Sequence, residues 1–163
     1  MFFKRNSNNG LSLVEVLIAT SIILAFFLAL ITVYNSYLKL AKTNINSVKA
    51  IFLAEEGIEA IKILRDSSWS NEIVPLTSGT NYYLAFTGGR WDTTTSNIYI
   101  DANFERKLSF SNVNRDAVTD DIVTSGGILD PNTRLLTVTV SWNNRGATST
   151  KVLSTYITNL FSN

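Results

Sequence analysis

One carboxylate in this chain stands where a carboxylate is costly. Glu15 lies inside a run of apolar residues, and a charge at membrane depth costs roughly 2.5 kcal/mol or more unless it is paired or neutral. Such a residue points to a cationic partner, or to a carboxylate snorkelling toward an interface. Little else offers chemistry. The 163 residues contain no His and no Cys, which removes the usual zinc, haem and iron–sulfur ligands, Cys nucleophiles, Ser–His triads and disulfides. Acid–base work would fall to carboxylates, Lys or Tyr. Asp101 and Glu105 are close in sequence, but a strand junction does not set them across a substrate, so no catalytic residue is expected. Gly89-Arg90-Trp91 lacks a phosphate-loop pattern. Asp116, Asp120, Asp121 and Asp130 gather oxygen ligands around Gly126-Gly127, yet no D-x-D-x-D-G spacing occurs. A solvated acidic loop is expected there, not a calcium site, and no metal or cofactor is expected elsewhere. A formal net charge of +1 gives no electrostatic case for nucleic acid.

The run that holds Glu15 decides the architecture. From Leu11 to Val33 only Ser12, Glu15, Thr20, Ser21 and Thr32 are not apolar. A helix of that length covers the hydrocarbon core of a bilayer, about 30 Å. Lys4 and Arg5 precede it, which predicts an N-terminus on the cytoplasmic side of the membrane and the remainder outside. A cleaved secretory signal would have a shorter apolar region and a small-residue site behind it. Thr32-Val33-Tyr34-Asn35-Ser36-Tyr37 carries no such site.

Gly10-Leu11-Ser12-Leu13-Val14-Glu15, behind a short basic leader, resembles the cleavage and methylation signal of type IV prepilins and pseudopilins. In that family the leader ends in Gly, an apolar residue opens the mature chain, and Glu stands fifth. Leu11 replaces the usual Phe. The resemblance implies cleavage between Gly10 and Leu11 by a prepilin peptidase and methylation of the Leu11 amine. It implies assembly with other pilin subunits by a platform in the cytoplasmic membrane. Physical chemistry agrees with it. Losing Lys4 and Arg5 leaves 12 Lys+Arg against 13 Asp+Glu and creates a cationic amine at the edge of the hydrocarbon. Glu15 of one subunit can then neutralise Leu11 of a neighbour and fix the axial register. A Gly before the cut also suits close approach by a protease.

The following elements must carry the rest. Tyr34 to Arg65 contains no Pro and a single Gly. Tyr34, Tyr37, Leu38, Ala41, Ile45, Val48 and Phe52, then Ile51, Ala54, Ile58 and Ile61, recur at three- and four-residue steps. That spacing predicts one helix from about Leu11 to Arg65 with an apolar stripe on its second half. Asp66-Ser67-Ser68 ends it. Asn81–Phe86, Ile98–Ile100, Phe104–Val113, Leu136–Trp142 and Lys151–Leu160 read as strands. In them Phe104, Leu108 and Phe110 share one face, as do Leu136, Val138, Val140 and Trp142, and Leu153 and Ile157. Asn143-Asn144-Arg145-Gly146 supplies a turn. Residues 67–80 and 114–134 read as loops, and Trp69, Trp91 and Trp142 as packing residues.

The expected fold is α+β and pilin-like: a long N-terminal helix, transmembrane in its first half, packed on an antiparallel sheet of four or five strands. Its parts are a leader (1–10), a membrane half-helix (11–33), an amphipathic half-helix (34–66) and a β head (67–163). Val138–Trp142 is also similar to the C-terminal sheet of V-type minor pilins. The expected function is that of a minor pilin of a type IV pilus. The alternatives are a pseudopilin of type II secretion or DNA uptake, and a membrane-anchored binding domain that never polymerises. Processing separates the last from the others, because a plain anchor keeps Lys4 and Arg5.

Overall fold

A computed structural model describes residues 12–161. Helix α1 runs Leu13–Ser67, and the chain parts into two compact units between Asn44 and Ile45. In the second unit, α1 packs against an antiparallel sheet of seven strands: β1 (Asn81–Thr87), β2 (Arg90–Thr94), β3 (Tyr99–Ile100), β4 (Phe104–Arg115), β5 (Ile122–Val123), β6 (Ile128–Asn144) and β7 (Ala147–Thr158). The main order is β2-β1-β4-β6-β7, with β3 and β5 each pairing with β4. The fold is α+β, as the sequence predicts.

The inner face of the sheet follows the two-residue alternation. Phe104, Leu108 and Phe110 of β4, Leu136, Val138, Val140 and Trp142 of β6, and Ile157 of β7 are all buried. Registers Leu108↔Val138 and Phe110↔Leu136 place them side by side. The helix contributes part of the expected stripe: Ala54 and Ile61 are buried and Ile58 packs against the core, and Ala50, Gly57, Ala60 and Leu64 complete the face. Ile45, Val48 and Phe52 are exposed. Bulk is the reason: a Cβ on Gly57 would lie 3.1 Å from both Val138 Cγ1 and Arg106 Cδ. The helix therefore approaches the sheet through its smallest side chains. Apolar spacing alone also selects Ile45, Val48 and Phe52, which lie on the opposite side of the helix.

Neither predicted loop is featureless. In 67–80, a single π-helical turn spans Trp69–Ile73, capped by Ser68, whose Oγ accepts from the Asn71 N–H at 3.3 Å. It inserts Trp69 and Ile73 into the core. In 114–134, β4 continues to Arg115, β5 intervenes, and β6 begins at Ile128. The ladder jumps from Asn112↔Arg134 to Val113↔Asp130, so Pro131, Asn132 and Thr133 form a bulge. Pro131, which cannot donate to a ladder, is accommodated there. Gly127 has φ +72°, and a Cβ on it would lie 2.5 Å from the Arg115 carbonyl oxygen. Only glycine fits that approach.

Candidate functional site

The first unit, through Asn44, is the N-terminal part of α1. Every residue from Ser12 to Leu40 is exposed, and α1 contains one segment long and apolar enough to cross a membrane. Its serine and threonine hydroxyls are satisfied within the helix. Thr20 and Ser21 donate to the Leu17 carbonyl at 3.1 and 2.7 Å, Thr32 to Leu28 at 2.9 Å, and Ser36 to Thr32 at 2.9 Å. Folding hydroxyls back on the preceding turn suits a medium without water.

Glu15 is the single charged residue between Ser12 and Leu38. It sits in the first turn of α1, where the helix dipole favours negative charge. Ser12-x-x-Glu15 also has the spacing of a capping box, a signal that the family resemblance overshadowed. Neither side-chain bond of such a box forms among the described residues. The Glu15 and Val16 N–H groups both donate to the Ser12 main-chain carbonyl, at 2.9 and 3.2 Å. The Glu15 carboxylate thus has no partner among the described residues, and it is exposed. Gly10 and Leu11, the expected cleavage and methylation residues, lie outside the described residues.

The second unit holds two polar clusters. Arg106 reaches between sheet and helix with its side chain 4% exposed. It donates to the Leu53 carbonyl at 3.1 Å, pairs with Glu56, and stands 5.5 Å from the centre of the Trp91 ring. The signal for it was present: period two places Arg106 on the face of Phe104 and Leu108. On the opposite face, Glu105 accepts from Tyr83 Oη at 3.2 Å, Asn97 Nδ2 at 2.8 Å and Ser141 Oγ at 3.2 Å. Burial pushes the Tyr83 phenol above its ordinary value, and the Glu105 carboxylate beside it adds to the rise. Asn97 comes from a loop, so sequence spacing could not have assembled this group. Asp101 and Glu105 are not joined as a pair; Asp101 binds Lys49 of α1.

Two of the acidic residues of 114–134, Asp116 and Asp130, are spent on local structure. Asp116 Oδ1 accepts from the N–H groups of Val118 and Thr119 at 2.8 and 3.0 Å, which hold its carboxyl below the usual range. Asp130 pairs with Arg115 at 2.7 Å and accepts from the Asn132 N–H at 2.8 Å. Among the described residues, no group of three or more acidic side chains converges as a metal site would need. No family model, curated protein or solved structure matches the chain.

Proposed function

We propose that the chain is a minor pilin, a structural subunit of a type IV pilus or a related filament. The observation that carries this reading is Glu15: an exposed carboxylate, without a partner among the described residues, at the start of an apolar helix whose serine and threonine hydroxyls bond back on the preceding turn. Within a bilayer or a filament core such a group calls for a cation. Cleavage between Gly10 and Leu11 supplies one, the methylated amine of Leu11 in a neighbouring subunit. Before cleavage, Lys4 and Arg5 hold the N-terminus on the cytoplasmic side, and the β head stands outside. A prepilin peptidase removes the leader. The assembly platform then draws the helix out of the cytoplasmic membrane as Glu15 and Leu11 pair and set the register.

Intact-mass measurement on membrane-extracted protein tests the processing step. A mass corresponding to residues 11–163 plus one methyl group is expected, and Gly10→Val should leave the leader in place. An uncut chain, in cells with an active prepilin peptidase, would instead mark a membrane-anchored domain that does not polymerise.

A further inference from the structure

The side of α1 turned away from the sheet carries a second stripe. In the second unit the buried residues Ala50, Ala54, Gly57, Ala60, Ile61 and Leu64 form one face of the helix. Ile45, Val48 and Phe52 stand opposite, exposed at 65%, 52% and 63%. In the sequence their three- and four-residue steps begin earlier, at Tyr34, Leu38 and Ala41. Written as a heptad, Leu38, Ile45 and Phe52 take position a, and Tyr34, Ala41 and Val48 take position d. Every buried residue of α1 then falls at b, c or f. We propose that two copies of the chain pair in parallel through this a/d stripe, as a two-stranded coiled coil.

The stripe lies where an apolar face is costly. The apolar run ends at Val33, so from Tyr34 to Phe52, about 27 Å of helix, the exposed side chains meet water and not lipid. A contiguous apolar stripe in water marks an interface. An a/d repeat selects another helix as its partner, because knobs at those positions fit holes on a facing helix. The stripe also has a defined end. Glu55 and Glu59 occupy the next d and a positions, and both are exposed.

The membrane span of α1 identifies the occupant. A second copy is held in the same bilayer by the same apolar run, so its stripe stands at the same height and points the same way. Such anchoring raises the effective concentration of each copy for the other. Parallel pairing sets each g position against the following e position of the other copy. Tyr37 then faces Lys42, Asn44 faces Lys49 and Ile51 faces Glu56, so no like charges meet. Lys49 and Glu56 also bind Asp101 and Arg106 of their own chain. These e positions are therefore engaged and do not line the wider core of a trimer. Pairing of this kind rests on the membrane span of α1 and holds whether or not the chain enters a filament.

The chain has no Cys, so single introduced cysteines report proximity without background. The full, uncleaved chain is placed in liposomes at high lipid excess, without assembly machinery, and oxidised with copper phenanthroline. Rates are normalised to maleimide labelling of the same cysteine. Ile45→Cys and Val48→Cys should give a product of twice the chain mass about tenfold faster than Lys39→Cys, at an exposed b position, because a disulfide needs Cα atoms within about 7 Å. Adding Ile45→Glu to the Val48→Cys chain should slow that link about tenfold, since it sets two carboxylates against each other in the stripe. Ile45 is exposed in the single chain, so circular dichroism should show an unchanged fold. Equal rates at Val48 and Lys39 would overturn the proposal, as would a Val48 link that survives Ile45→Glu. The leader is intact and no filament forms in this assay, so a chain that never polymerises gives the same expected result.

Discussion

Arg106 of β4 and Leu53 of α1 are joined by a hydrogen bond of 3.1 Å from the guanidinium to the helix's own main-chain carbonyl. Four residues on, Gly57 leaves the room that the arginine stem occupies, since a Cβ there would meet Arg106 Cδ at 3.1 Å. A missing side chain on the helix and a long cation on the sheet fill the same space. Packing of the helix on the sheet therefore depends on both.

Gly57→Val tests the close approach. The added branches press on Val138 and Arg106, and overpacking of this kind costs about 2 kcal/mol. Urea unfolding should show a lower midpoint with an unchanged slope. An unaltered midpoint would mean that the helix shifts freely over the sheet.

Removing the partner of a buried cation strands it. Glu56→Ala leaves Arg106 buried with the Leu53 carbonyl and the Trp91 ring. Because Glu56 is half exposed, the loss should fall below the 3–5 kcal/mol of a fully buried pair, at about 2 kcal/mol. The double variant Glu56→Ala/Arg106→Met removes the stranded charge and should recover at least half. A double variant whose loss equals the sum of the single losses would argue against coupling.

Acid should loosen the bulge in β6. Burial acts to raise the Asp130 carboxyl, but Arg115, Thr133 and the Asn132 N–H outweigh it and hold the group below its ordinary value. A lowered native value contributes stability above the unfolded carboxyl value of about 4, and that contribution is lost as pH falls through the native value. Asp130→Asn should be less stable than wild type at neutral pH, with the gap narrowing below about pH 4. A gap that stays constant with pH would place the effect elsewhere.

The sequence made the strand faces legible because burial selects period two directly: Phe104, Leu108 and Phe110, and Leu136 through Trp142, fell on the core face as read. The helix stripe was legible only in part, at Ala54, Ile58 and Ile61, because apolar spacing does not report distance. Alanine and glycine at 50, 54 and 57 pack close, while Phe52, the larger residue, stands exposed at 63%. The stretch 114–134 was misread because Pro131 and Gly126-Gly127 ordinarily end strands, and here a bulge and a positive φ absorb them. Glu15 was legible as a solitary charge in an apolar run. The Glu105 cluster was not, because Tyr83, Asn97 and Ser141 come together only through strand pairing and a loop.

Truncation separates the two units. A chain beginning at Tyr34 lacks the apolar segment but keeps the small-residue face from Ala50 to Leu64 that covers the sheet. It should stay in solution after ultracentrifugation and melt in one cooperative step. Partition into membranes, or a non-cooperative melt, would contradict the two-part organisation.

Glu15→Gln addresses filament assembly most directly. The amide keeps the size of the side chain and removes its charge, so the Leu11 amine of a neighbour would be stranded in an apolar core. On the proposed route, cleavage between Gly10 and Leu11 comes before assembly, so it should proceed in the variant. The measurement is the ratio of cleaved protein in sheared filaments to cleaved protein in membranes, for wild type and Glu15→Gln. A filament subunit predicts a ratio reduced about tenfold or more in the variant, because a broken buried pair costs several kcal/mol. An equal ratio would make Glu15 a passive carboxylate at the head of its helix, and would contradict the pairing on which the proposed assembly rests.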